Sequence, residues 1–285
     1  MKLAKSYEEQ LEILSNRGLI IENEEKAIHA LSNINYYNLT GYLFQLKKKD
    51  GTYKEGVSFE QGLSLYNFDK EIHAWLLAIL TEIEQSIKTK TAYIIAINYP
   101  DNPCIYEDET FFKNQIDHQR FIKEFKKNVQ NNSGAEFVKH HILHYDNHFP
   151  IWVAVQLFTM GNLKAMYTNL SSTLRKQISR EFDSSPVMFD NWLECIRILR
   201  NLVAHNMRLY GYNFILMPKT SDKFEKTPTN QLFGHLFLLK HLYFDNDEWI
   251  EKVMQLQKIV SKYFRYIELE KVGFTKNWFE KLIIQ

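Results

Sequence analysis

Cysteine is scarce in this chain, which has only Cys104 and Cys195 among its 285 residues. Two cysteines are too few for a disulfide framework, and their separation lacks the spacing of a metal-binding motif. Long apolar runs are also absent, since AWLLAIL and IWVAVQLF fall far short of the roughly 20 residues that span a bilayer. The first residues, MKLAKSYEEQ, lead into charged residues without an apolar region, so we expect no secretory signal. We therefore expect a cytoplasmic protein with reduced thiols and no membrane partner.

An excess of charge of one sign is missing too, because 35 Lys and Arg balance 34 Asp and Glu. The resulting net charge of +1 creates no overall positive field, so any polyanion must be bound by a local cluster of basic residues. No segment has the composition of a disordered tail, and no internal repeat is present. A globular protein with a substantial core is therefore expected.

Apolar residues recur every three or four positions along most of the chain, which predicts an all-α fold. Ser6 followed by Glu9 has the pattern of a capping box, and Ser184 or Ser185 before Pro186 marks another helix start. These signals place helix starts near residue 7 and residue 186.

The coarse organisation has three parts with soft borders, which together can also form one compact domain. We predict an N-terminal helical segment over 1–57, a helical core over 58–215 and a C-terminal helical segment over 216–285. The core begins at Ser58 with a periodic pattern of about forty residues, interpreted as a short helix followed by a long one. Gly, Asp and Lys near residues 46–57 allow at most a small β-hairpin.

The stretch NWLECIRILRNLVAHNMRLY, residues 191–210, is predicted to be a helix that continues to about Arg208. At 3.6 residues per turn its apolar residues cover one side. The other side carries Arg197, Arg200, Asn201, His205 and Arg208. A solvated helix face usually draws on Lys and Glu, whereas Arg binds phosphate in a rigid fork and His titrates near neutral pH. From the residue types alone, this polar side could be either a functional site or a solvated helix face.

The segment Arg200-Asn201-x-x-x-His205 has the Arg-polar-x-x-x-His form of the HEPN signature. The whole sequence resembles the AbiD/AbiF-type abortive-infection proteins of bacteria. The matching stretches include SYEEQLEIL, INYYNLTGYLF, YNFDKEI, IEQSIKTKTAY, PIWVAVQLFTMGNL, LRNLVAHNMRLY and GFTKNWFEKL. The resemblance extends over nearly the whole chain and implies a HEPN-type helical bundle with extra N- and C-terminal helices.

The resemblance also implies an activity, that of a metal-independent endoribonuclease acting as a phage-defence toxin, without a cofactor. Such proteins pair as homodimers that bring two motifs into one cleft, and a structured noncoding RNA restrains some of them. Catalysis is then assigned to Arg200, as phosphate clamp, and His205, as general acid/base. Asn201 and Arg208 would support the motif geometry. RNA is the expected partner, and DNA is not.

Two positions depart from the commoner family pattern, with Lys88 in place of Arg and Asn206 in place of a second His. Lys88 and Arg197 are candidate RNA-binding residues, and Glu84 is a candidate partner for an arginine of the motif. The alternative function is that of a noncatalytic RNA-binding protein, which forms a complex with a structured noncoding RNA. Binding RNA without cutting it would not require an imidazole, so the presence of His205 favours the enzyme.

The stretch HHILHYDNH holds a second group of histidines, spaced four residues apart at His140, His144 and His148. This spacing could line one helix face and bind zinc. Pro150 indicates that the helix ends before His148, and no Cys or Glu joins the group at a usual spacing. We therefore predict a polar or RNA-facing surface here and no metal.

Overall fold

The structure is a computed structural model that describes residues 3–220 and 229–284. Residues 1, 2, 221–228 and 285, which belong to the predicted terminal segments, lie outside the described residues. The described part forms thirteen α-helices and no β-strand, which confirms the all-α prediction. The helices are α1 Tyr7–Ser15, α2 Glu24–Asn33, α3 Tyr36–Leu43, α4 Phe59–Asn98, α5 Gln115–Asn131, α6 Glu136–His144, α7 Ile151–Ala154, α8 Met160–Asn169, α9 Ser172–Arg180, α10 Pro186–Ala204, α11 Leu232–Leu242, α12 Asn246–Tyr263 and α13 Trp278–Ile283.

Helix α4 runs for 40 residues without interruption, so the prediction of a short helix followed by a long one is wrong. The Ser58 side chain caps it by accepting a hydrogen bond from Gln61 N. Gly62 does not end a helix here. A Cβ at this position would come within 2.6 Å of Leu43 Cδ2, so glycine allows α3 to approach the α4 backbone closely.

The rest of the fold packs around α4, which contacts α3, α7, α9, α10, α11 and α12. Its buried apolar side chains recur with helical spacing and belong to the main hydrophobic cluster. They include Phe68, Ile72, Leu76, Ile79, Ile83 and Ile87. Burial of each such side chain stabilises the fold by about 1.5–3 kcal/mol. Because α4 forms this core, the polar residues on it are held rigidly beside α10.

The N-terminal helices form a smaller hydrophobic cluster with the first turn of α4. The capping box predicted at Ser6 and Glu9 is confirmed. The periodic pattern from Asn23 to about Gly41 predicts a single helix. It forms two instead, because Asn35 caps a new helix by accepting from Tyr37 N. The predicted hairpin is reduced to a single antiparallel bridge between Lys47 and Tyr53.

Two helix ends lie elsewhere than the sequence predicts. Gly161–Asn162 in the sequence indicates a helix end or bend, but the pair lies in the first turn of α8, where Thr159 and Asn162 form a capping box. The amphipathic pattern from Asp247 predicts a helix to about Leu269, but α12 ends at Tyr263. No helix in the two described ranges is both long enough and apolar enough to cross a membrane.

The buried imidazole of His235 on α11 gives the fold a pH dependence. Its ring centroid lies 3.9 Å from that of Phe214, and burial lowers the pKa of His235 to about 4, although the Gln231 carbonyl acts in the opposite direction. The unfolded chain takes up a proton below its ordinary pKa of 6.5, whereas the folded protein resists protonation. His235 therefore contributes its full stability above pH 6.5, and this contribution is lost as the pH falls toward 4.

We predict that the free energy of unfolding loses about 2 kcal/mol between pH 7 and pH 5 through His235 alone. Urea unfolding of the wild type and of His235→Leu at both pH values measures this, since the substitution removes the titrating group. The exposed His144→Leu variant is the control and should keep the wild-type slope. An unchanged pH slope in His235→Leu would show that this imidazole is not held neutral.

Candidate functional site

Helix α10 begins as its sequence predicts. The Ser185 side chain accepts a hydrogen bond from Met188 N, and Pro186 occupies the first helical position, where no amide hydrogen is required. Its apolar side is buried against α4 and α8, with Trp192, Leu199 and Val203 among the core residues. The opposite side presents Arg197, Arg200 and Asn201, so the predicted amphipathic division is confirmed for this helix.

The end of α10 differs from the prediction, because the helix stops at Ala204 instead of about Arg208. Asn206 has a left-handed backbone, with φ of 51°, and its N–H donates to the Val203 carbonyl. Met207 N donates to the Leu202 carbonyl at 2.9 Å, which completes a Schellman motif. Asn206 suits this turn because asparagine tolerates positive φ better than most residues. His205 is consequently the C-cap residue, at the carboxyl end of α10.

Arg208 follows that turn and does not share the helix face with Arg200. Its guanidinium donates to the Gly41 carbonyl of α3 and lies 6.0 Å from the centre of the Tyr42 ring. The residue thus ties the loop after α10 to the N-terminal helices. Its supporting role in the motif remains a prediction, now through the loop and not through the next helical turn.

The loop after α10 is fixed by the buried carboxylate of Asp69 on α4. Asp69 Oδ2 accepts from Leu209 N at 2.7 Å and from the Tyr42 hydroxyl at 2.8 Å, and Oδ1 accepts from Tyr210 N at 3.0 Å. Burial raises the pKa of Asp69, whereas the charge of His73 and these three donors act in the opposite direction. One carboxylate therefore joins α3, α4 and the loop.

His73, one turn further along α4, holds the same loop. Its Nδ1 lies 2.5 Å from the Asp69 carbonyl oxygen, and its Nε2 lies 2.9 Å from the Met207 carbonyl oxygen. Both partners only accept hydrogen bonds, so the ring donates to both only when both nitrogens carry a proton. Sequence reasoning missed this pair, although an Asp and a His four residues apart on an apolar helix stripe signal it.

Arg200 lies at the edge of a small cleft between α10 and α4. Its Nε is 3.9 Å from Glu84 Oε2, and Lys88 Nζ is 2.8 Å from Glu84 Oε1. Glu84 is thus a partner for an arginine of the motif, as proposed from the sequence. The cleft has a volume of about 200 Å³ and is lined by Leu77, Leu80, Thr81, Glu84, Gln85, Lys88 and Arg200. Two cations and one carboxylate leave its wall with a net positive charge.

The other candidate residues differ in their availability to a ligand. Lys88 is only 7% exposed, and Arg197 forms a bidentate ion pair with Glu194 on its own helix. That hydrogen-bonded pair raises the pKa of Arg197 and lowers the pKa of Glu194. In the described part of the chain, the side chains of half-buried Asn201 and exposed His205 make no hydrogen bond. Asn201 and His205 are therefore the motif groups most open to a ligand.

The histidines at residues 140–148 do not line one helix face. Helix α6 ends at His144, as Pro150 indicates, and His148 follows a turn in which Asp146 and Asn147 have positive φ. His140 and His144 have ring centroids 4.9 Å apart with their planes tilted by 48°, whereas His148 Nδ1 lies 2.7 Å from Glu107 Oε2. His148 thus meets a group distant in sequence.

Comparison with known families gives one finding. A family model described as Abi-like protein matches residues 29–211, which is well over half of the chain. The comparisons with curated proteins and with solved structures return no match. The matched span includes Asp69, His73, Glu84 and the whole segment from Arg200 to Tyr210, so every group of the site described above lies within it.

We predict that Asp69→Asn lowers the free energy of unfolding by about 2–4 kcal/mol, because an amide has only one accepting oxygen and cannot accept at both carboxylate positions from the three buried donors. Urea unfolding measures the loss. The exposed carboxylate of Asp101 provides the control, and Asp101→Asn should stay within about 0.5 kcal/mol of the wild type. Equal stability of the two variants would contradict the role given to Asp69.

Proposed function

Since the chain belongs to the Abi-like protein family, we propose that it is a HEPN-type, metal-independent endoribonuclease acting as a toxin in abortive-infection phage defence. The observation that carries the proposal is the arrangement at the end of α10. Arg200, Asn201 and His205 lie within two turns of one another, and Arg200 lines a cleft with a net positive wall. The surrounding backbone is held by Asp69 and His73, so the motif is presented on a rigid support.

The chemistry of RNA fits this small set of groups. The ribose 2′-OH attacks the adjacent phosphorus, the bond from phosphorus to the 5′-oxygen breaks, and a 2′,3′-cyclic phosphate and a 5′-OH end result. The 2′-oxygen loses a proton to a base, and the leaving 5′-oxygen gains one. His205 is the proposed group for proton transfer, and Arg200 stabilises the charge that develops on the phosphate.

The position of each group suits its proposed role. His205 is exposed and stands at the end of the helix without an internal partner among the described residues, so its imidazole is free to reach a phosphate or a ribose. The Arg200 side chain is 43% exposed, and Glu84 contacts only its Nε side. The terminal guanidinium nitrogens are left for a phosphate, which guanidinium binds in a bidentate manner. Asn201 adds an amide beside them.

A second copy of the chain completes the proposed site. One chain supplies one imidazole, whereas the reaction requires a base and an acid at opposite sides of the phosphorus. Two apolar side chains adjoin the motif in the described structure. Leu77 is 46% exposed beside the cleft, and Met207 is 54% exposed next to His205. Burying them against a second motif would place two imidazoles and two arginines in one cleft.

The alternative is a noncatalytic protein that binds a structured noncoding RNA and holds it in a complex. One observation favours it, namely that the described chain places a single imidazole at the motif. A cation and an amide are sufficient to bind phosphate, and binding alone requires no second proton-transfer group. The two proposals differ in whether RNA is cut or only held.

We predict that the wild type cleaves total RNA in the presence of EDTA and that His205→Ala or Arg200→Ala reduces the cleavage rate by about 10²–10⁴-fold. Matched controls are His144→Ala and Arg120→Ala, which remove the same side-chain types from exposed positions on α6 and α5. Both controls should cut at the wild-type rate. If no protein cuts while Arg200→Ala alone loses RNA binding, the noncatalytic alternative holds.

Subunit mixing tests the composite site. Adding about a threefold excess of His205→Ala should lower cleavage per wild-type subunit by about fourfold, since most wild-type subunits then have an inactive partner. Cleavage is followed on a fixed RNA after the mixture has equilibrated, and an equal mass of albumin serves as the control. Undiminished cleavage would mean that each chain cuts alone.

A further inference from the structure

Three potential metal ligands meet outside the α10 site. Cys104 and Glu107 lie in the connection after α4, and His148 lies in the loop before α7. The Cys104 Sγ, a Glu107 carboxylate oxygen and a His148 ring nitrogen all lie within 4.8 Å of one another. None of the three residues lines the cleft beside Arg200. This cluster is therefore independent of the proposed nuclease site.

The two segments that supply these residues are held together by hydrogen bonds. Ile151 N donates to the Pro103 carbonyl at 2.8 Å, one residue before Cys104. The buried Tyr106 hydroxyl donates to the Phe149 carbonyl at 2.8 Å and lies 3.2 Å from Glu107 Oε1. The hydrogen bonds between the two segments thus bring the ligand atoms together.

The side chains themselves can adjust to an ion. His148 Nδ1 and Glu107 Oε2 are 2.7 Å apart, and tetrahedral coordination at about 2.0–2.3 Å would separate ligand atoms by somewhat more. The His148 side chain is 57% exposed, so its ring can turn without disturbing the core. A cleft of about 260 Å³ adjoins Glu107 and His148 and has room for a water molecule as fourth ligand.

We propose that Cys104, Glu107 and His148 bind a divalent transition-metal ion of the zinc class. A thiolate with an imidazole selects zinc-like ions over magnesium or calcium, which prefer oxygen ligands alone. Three protein ligands and one water complete a tetrahedral shell. On binding, the Cys104 thiol releases its proton to solvent, and His148 ligates through a ring nitrogen without a proton. The ion joins the connection after α4 to the loop before α7.

Cobalt titration of the purified full-length chain tests the proposal, because Co²⁺ replaces Zn²⁺ and reports a thiolate ligand by a charge-transfer band. We expect this band in the wild type and in the control His144→Ala. Cys104→Ser should lose it entirely, since the remaining Cys195 is buried in the core. His148→Ala and Glu107→Gln should weaken cobalt binding by at least about tenfold. Far-UV circular dichroism establishes that each variant is folded.

Zinc binding to the same site should also raise the melting temperature of the wild type and of His144→Ala, but not that of Cys104→Ser. Absence of a thiolate band in the folded wild type would overturn the proposal. A band of wild-type strength and affinity in both His148→Ala and Glu107→Gln would overturn it as well, since cobalt would then bind adventitiously to a lone thiol.

Discussion

The carboxylate of Asp69 accepts hydrogen bonds from Leu209 N, Tyr210 N and the Tyr42 hydroxyl in a part of the fold that water does not reach. A buried charge of this kind is stable only when donors and a counter-charge surround it. Three donors contact the carboxylate, and the charge of His73, one turn further along the same helix, opposes the rise in the pKa of Asp69. The His73 ring also lies against the Met207 carbonyl. The loop that follows α10 is consequently fixed at three points, Met207, Leu209 and Tyr210.

The exposed motif depends on this buried support. Helix α10 is closed by a Schellman turn at Asn206, which leaves His205 at the open end of the helix, and Glu84 faces Arg200 from α4. Glu84, Asp69 and His73 all lie on the same 40-residue helix, whose apolar stripe forms the main core. The position of Arg200 relative to His205 is thus set by core packing more than by contacts between the motif residues.

Much of this arrangement could be predicted from local sequence, because helix starts depend on neighbours within four residues. Ser185 before Pro186 marked the start of α10 correctly for that reason. The end of α10 was less predictable, since the turn uses Asn206 where glycine is the usual signal. Gly62 serves close packing against Leu43, a contact that no local pattern indicates.

Local sequence patterns do not predict contacts between residues that lie far apart in the chain. Asp69 meets Leu209, which is 140 residues away, and Glu107 meets His148, which is 41 residues away. Periodicity assigns each of these residues to a helix or a loop but does not pair them. Glu84 was the exception, since its place on a helix expected to face the motif already made it a candidate partner for an arginine.

Cleavage by the RNA's own 2′-OH at the end of α10 is tested by comparing two RNA oligonucleotides. One is an oligonucleotide that the protein cuts, and the other is identical except for a single 2′-deoxy sugar at the cut. We expect a 2′,3′-cyclic phosphate and a 5′-OH on the products of the unmodified oligonucleotide, and no cut at the 2′-deoxy sugar. Cleavage at the 2′-deoxy position, or products ending in 5′-phosphate, would rule out this mechanism.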